Sequence, residues 1–151
     1  MLARLAARLA FLAVFLGTAA LAQGTAPAAP QAEDPLVVVQ RFLDAYSHHN
    51  LGLMIAETDP DVKWMSVVND RILVDAAGQQ ALQGWLVKVF SAFPVMSRTV
   101  EQSIAHGTLV SVWERAHLKA RDNADMTQGG LVVYEVRNGK IKNVWRYTPQ
   151  E

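Results

Sequence analysis

Val133-Tyr134-Glu135-Val136-Arg137-Asn138-Gly139-Lys140-Ile141 is the stretch on which the fold turns. Apolar and polar side chains alternate up to Arg137, the period of a strand with one buried face. Asn138-Gly139 then supplies two residues that tolerate positive φ, as a two-residue hairpin turn requires. Alternation resumes over Lys140–Thr148. Moving upstream, the same period runs through Gln128–Arg137, Thr108–Lys119 and Val95–His106, broken by the polar stretch Ala120–Thr127 and by Gly107. Four antiparallel strands in a meander therefore fill the C-terminal half.

The N-terminal half has the other period. Asp34-Pro35 suits a helix start, since the carboxylate can accept orphan amide hydrogens and proline has no amide to leave unpaired. Leu36, Val39, Leu43 and Tyr46 follow at helical spacing, with Phe42 beside them, and His48-His49-Asn50 closes the helix. Leu51, Met54 and Ile55 mark a short second helix, which Asp59-Pro60-Asp61 is expected to end as a turn. Val62–Val68, Asn69-Asp70 and Arg71–Asp75 form a hairpin. Gly78 precedes a third helix carrying Leu82, Trp85, Leu86 and Phe90, stopped by Pro94. Helices segregated from strands predict an α+β domain over 34–151, with a curved antiparallel sheet wrapped over three helices as an open cone.

Ahead of this domain lies a basic, acid-free start with Arg4 and Arg8, an apolar run Leu9–Leu16, and small residues flanking Leu21 at Ala20 and Ala22. That is the layout of a cleaved export signal over 1–22, and the Ala/Pro-rich residues 23–33 read as a spacer. The expected location is periplasmic or secreted, with no membrane attachment after cleavage. The chain contains no cysteine. A lipid anchor on a processed cysteine and any disulfide are thereby excluded. Loss of Arg4 and Arg8 leaves 12 basic side chains against 14 acidic ones, so nothing invites nucleic acid, for which a basic stripe is needed.

The order and spacing of these pieces resemble the nuclear transport factor 2-like superfamily, and within it the SnoaL-like proteins, over residues 34–148. The matching segments are Val38–Tyr46, the short helix leading to Asp61-Val62-Lys63-Trp64, the helix begun at Gly78, and Val133–Ile141. The resemblance implies the cone-shaped cystatin/NTF2-like fold, a pocket between sheet and helices, and dimerisation through the outer sheet face. It also lets one activity be examined: the tyrosine and two aspartates of the ketosteroid isomerases fall at or near Phe42, Trp64 and Val132, so that chemistry is not supported.

Alternation sorts the strand residues into faces. Val110, Val112, Ala116 and Leu118 form an apolar face that should line the pocket, with Glu114 a lone carboxylate among them. Burying it unpaired costs several kcal/mol, about 5 or more, and Arg146 on the last strand is the expected partner. Tyr134 should point into the same space with its hydroxyl free for a ligand; Tyr46, Trp64 and Ser66 are further lining candidates. The four histidines form no metal-ligand spacing, and no phosphate loop or nucleophile elbow occurs, so neither metal nor cofactor is expected. The opposite face gathers Trp113, Arg115, Leu131, Val133 and Trp145, a candidate homodimer surface. Two functional readings follow: a binding domain for a small apolar molecule, or a lyase, isomerase or cyclase using Glu114 as acid or base with Arg146 and Tyr134 orienting the substrate. A third is an accessory module whose pocket is filled by Trp64 and Met65.

Overall fold

Asp34 opens the first helix as its sequence indicates, accepting the Leu36 N–H at 2.9 Å with Pro35 behind it. The computed structural model describes residues 33–119 and 124–147. The export segment, the spacer up to residue 32 and Thr148 lie outside the described residues. Three helices, α1 (Pro35–Ser47), α2 (Leu51–Ala56) and α3 (Gln79–Ala92), accompany six strands. These are β1 (Thr58–Val68), β2 (Arg71–Ala77), β3 (Val95–His106), β4 (Leu109–Lys119), β5 (Asp125–Arg137) and β6 (Lys140–Tyr147). No helix among the described residues is long and apolar enough to cross a membrane.

The strands form one open sheet in the order β2-β1-β6-β5-β4-β3. Every pairing is antiparallel except one: β1 runs parallel to β6, with Trp64 across from Val144 and Ser66 across from Arg146. That seam is the one departure from antiparallel pairing in the expected curved sheet, and it joins the N-terminal hairpin to the meander. A correction concerns Asp59-Pro60-Asp61. These residues are extended within β1, and the chain turns earlier, at Glu57. The Glu57 carbonyl accepts from the Ile141 N–H at 2.9 Å, and Lys142 pairs with Asp59 at 2.8 Å, so β6 holds this segment straight. β5 likewise begins at Asp125, earlier than Gln128, because Lys119–Asp125 and Leu118–Met126 continue the ladder.

Turn chemistry follows the sequence closely. Asn69 and Asp70, and again Asn138 and Gly139, all have positive φ, as tight hairpins demand. Gly78, at φ +83°, precedes α3 and donates to the Val62 carbonyl at 2.7 Å. Register irregularities at Trp64/Met65, Val100/Gln102 and Glu135/Val136 bend the sheet. On its concave face, Val110, Val112, Val132, Tyr134 and Val144 pack against Phe42, Tyr46, Leu82 and Leu86 of the helices. The convex face carries an apolar band: Trp113 lies across from Leu131, Leu131 from Tyr147, Val133 from Trp145, and Trp145 from Met65. Trp113 is 41 % exposed there, while Leu131, Val133 and Trp145 are half-buried. Arg115, in the same row, pairs with Glu101 at 2.6 Å.

Candidate functional site

Glu114 sits on the concave face, as alternation along β4 dictates, and is only 7 % exposed. Its partner is not Arg146. Arg98 of β3 donates from Nη1 to Glu114 Oε1, and its guanidinium carbon lies 4.0 Å from the centre of the Tyr46 ring. The expected Glu114–Arg146 pair is thus replaced by Glu114–Arg98. Register explains why: Arg146 lies across from Val132, whereas Glu114 lies across from Gly130 on one side and Val100 on the other. Arg98, opposite Ala116, is the diagonal neighbour that can reach the carboxylate.

The position of Arg98 depends on a bulge. From His106–Leu109 to Gln102–Trp113 the β3–β4 ladder is regular, but Glu101 has no opposite number, and pairing resumes at Val100–Glu114. Without that extra residue, counting back from the Gly107 turn would set Arg98 against His117, on the convex face. One residue of slip exchanges the two faces of a strand. Parity with Met96, two residues away on the same side of the bulge, is the sequence signal for Arg98; counted from the Gly107 turn it is lost.

Burial opposes the charge on Arg98. The charge of Glu114, together with Tyr46, Tyr134 and the hydrogen bond to Glu114, outweighs that penalty, so the guanidinium pKa is raised overall. Two atoms of the pair are left over: Glu114 Oε2 and Arg98 Nε are both buried without a hydrogen-bond partner in the protein. A buried polar atom without a partner costs about 1–3 kcal/mol, more when charged.

Small residues make room beside the pair. Gly130, Ala116, Val132 and Arg146 bound a cavity of about 30 Å³ against Arg98 and Glu114, the space of one water. A larger chamber of about 160 Å³ shares Arg98, Ala116, Gln128 and Arg146 as walls and is otherwise apolar, with Tyr46, Trp85, Phe93 and Met96 among its lining. Arg146 reaches this space from β6, its guanidinium 5.6 Å from the Trp85 ring centre.

The other candidates occupy different places. Tyr134 is 1 % exposed and packs 6.1 Å from Phe42, outside the lining of either space. Burial pushes its phenol pKa well up, the charge of Glu114 adding to the rise and that of Arg98 partly offsetting it. Trp64 lies in the aromatic core between Phe42 at 5.8 Å and Trp85 at 5.5 Å. Ser66 lies away from the cavity, donating to Asp75 at 2.6 Å. Met65, across from Trp145, belongs to the convex row, so it does not fill the cone. His49 stacks on Phe90 at 4.2 Å, and His48 Nδ1 lies 2.8 Å from the Asp44 carbonyl at the end of α1. Among the described residues no three His, Asp or Glu side chains gather into a metal site.

Residues 39–144 match the SnoaL-like domain family. Solved structures share the fold at low identity. An NTF2-like protein of unknown function from Burkholderia pseudomallei is 16 % identical, with a TM-score of 0.67, over 76 % of this chain and 90 % of its own. A Mycobacterium tuberculosis LEH-like epoxide hydrolase is 17 % identical, with a TM-score of 0.67, over 80 % of this chain and 86 % of its own. RV0760c from the same organism, solved with estradiol-17beta-hemisuccinate, is 16 % identical, with a TM-score of 0.68, over 78 % and 95 %. No curated protein matches the sequence significantly.

A phenol whose pKa is higher folded than unfolded stabilises the fold below the unfolded value, near 10, and that stability is lost as pH rises towards the folded value. Unfolding free energy measured in urea should therefore fall above about pH 10, and Tyr134→Phe should flatten that part of the profile. An unchanged slope in the variant would contradict the assignment.

Proposed function

The chain belongs to the SnoaL-like domain family, and we propose that its concave pocket binds a small, largely apolar molecule through the Glu114–Arg98 pair. What supports this reading is the unpartnered Glu114 Oε2, an acceptor held in an ion pair beside a small cavity that shares Arg98, Ala116, Gln128 and Arg146 with the aromatic-walled chamber. Pockets of this kind surround an apolar body with a few convergent polar groups. A ligand hydroxyl or amide donating to Oε2 would restore the missing hydrogen bond. The chamber is smaller than the drug-sized range of roughly 300–1,000 Å³, which points to one or two rings. RV0760c, with its bound steroid ester, and the LEH-like epoxide hydrolase indicate what this fold accommodates elsewhere; function nonetheless resides in each protein's own site.

A second reading rests on the same oxygen. Glu114 Oε2 can take a proton from a bound substrate, with Arg146 stabilising the oxyanion that develops as the proton leaves. Lyase, isomerase and cyclase reactions begin in this way. Tyr134, whose burial keeps its phenol protonated, lies outside the lining of both spaces and would not meet the substrate.

The protein acts outside the cytoplasm on this proposal, released after cleavage behind Ala22 and soluble in the periplasm or medium. A second copy is the partner proposed for the convex face, where Trp113, Leu131, Val133 and Trp145 offer large apolar groups beside Arg115. Interfaces between identical subunits favour such residues at their centre.

Mass spectrometry of protein taken from the periplasm tests location and ligand together. Its mature mass should correspond to a chain beginning at Gln23, and a small apolar molecule should accompany it. Glu114→Gln should reduce that ligand at least tenfold; identical ligand profiles in the two proteins would overturn the binding role. If the second reading holds, the bound molecule should also gain deuterium in heavy water, and Glu114→Gln should abolish the exchange. For the convex face, light scattering should give twice the protomer mass, and Trp113→Asp should halve it without altering circular dichroism. A monomeric parent protein at tens of micromolar would rule the dimer out.

A further inference from the structure

Charges around the chamber do not cancel. Arg98 is matched by Glu114, in an ion pair that both side chains bury. Arg146, on the opposite wall, is half-buried, and among the described residues no carboxylate lies within ion-pairing distance of it. The other polar wall, Gln128, is uncharged. Among the described residues the chamber therefore carries one positive charge in excess, displayed among Trp85, Phe93, Met96 and Leu118.

Resting on the reading of this chamber as a ligand pocket, we infer that its ligand is a monoanion: an aromatic or alicyclic carboxylic acid whose carboxylate pairs with Arg146. The guanidinium presents parallel N–H donors that fit a carboxylate in two-point fashion. Low-dielectric walls strengthen such a contact relative to water. The apolar body then lies along Trp85 and Phe93, in the larger chamber that Arg146 bounds. Trp85 already backs the guanidinium, which limits the positions open to it. A dianion would bring a second negative charge towards Glu114, whose own guanidinium is taken. A cation would face the excess positive charge. The site thus selects by charge as well as by shape, and Glu114 Oε2 remains available for a hydroxyl on the same molecule.

Three probes that share a ring system and differ in charge test this. Isothermal titration calorimetry of the purified protein would compare 2-naphthoate, methyl 2-naphthoate and 2-naphthylmethylammonium at low and high salt. The acid should bind at least tenfold more tightly than its neutral ester, and the ammonium most weakly. Salt should narrow the gap, because part of the attraction is screened. Arg146→Met keeps an apolar stem against Trp85 and should bring the acid down to the affinity that the ester shows in the same variant. Arg146→Lys should keep a reduced preference for the acid. An ester that matches the acid, or an ammonium that exceeds it, overturns the inference while leaving the pocket reading intact. An acid preference that survives in Arg146→Met overturns the assignment to Arg146. Failure of all three probes to bind removes the pocket reading itself, and the inference with it.

Discussion

A carboxylate inside an apolar concave sheet must be neutralised by something, and much of this structure answers that requirement. Glu114 is placed inward by the alternation of β4 and cannot leave that face without turning Val112 and Ala116 out with it. Arg98 answers from the neighbouring strand, aimed inward by the bulge at Glu101 and backed by the Tyr46 ring. Gly130 and Ala116 leave space over the pair where larger side chains would close it. Such a pair adds little stability, since desolvation of two charges consumes most of the Coulombic gain. Its effect is to fix one oxygen and one guanidinium at the wall of a cavity.

The remainder of the site is a division of labour between two arginines. Arg98 is committed to the protein and Arg146 is open to the chamber. Phe42 and Trp64 join the aromatic core, and Val132 borders the cavity as an apolar wall. The polar groups of the site come from β3, β4 and β6. A shared fold says little about reaction, so charge balance within the chamber is the more informative guide.

The architecture was legible wherever a residue's chemistry is local. Asp34, Asn50, Gly78 and Asn138-Gly139 each mark a boundary through their own backbone or capping preference, and the structure places them there. The inward face of β4 followed from period alone, so Glu114 could be singled out. What depended on pairing between distant strands was not legible. The parallel seam between β1 and β6 has no local signature. Nor does the bulge at Glu101, and one uncounted residue is enough to hide Arg98 on the wrong face. Arg146 lines the cavity, but diagonal geometry gives Glu114 to a different arginine. Ser66, on the correct face by parity, is engaged by Asp75 because β1 and β2 lie beyond the helices' cover at that end.

Glu114 and Arg98 form one buried unit, and a double-mutant cycle measures their coupling directly. Urea denaturation of Arg98→Met, Glu114→Met and the double variant gives the coupling energy. Each single change should cost about 3–5 kcal/mol, because it strands a buried charge. The double variant, which strands none, should cost at least about 2 kcal/mol less than the two together. Single costs that simply add, within about 0.5 kcal/mol, would show that the two side chains do not meet, and would contradict the account of the pocket built on them.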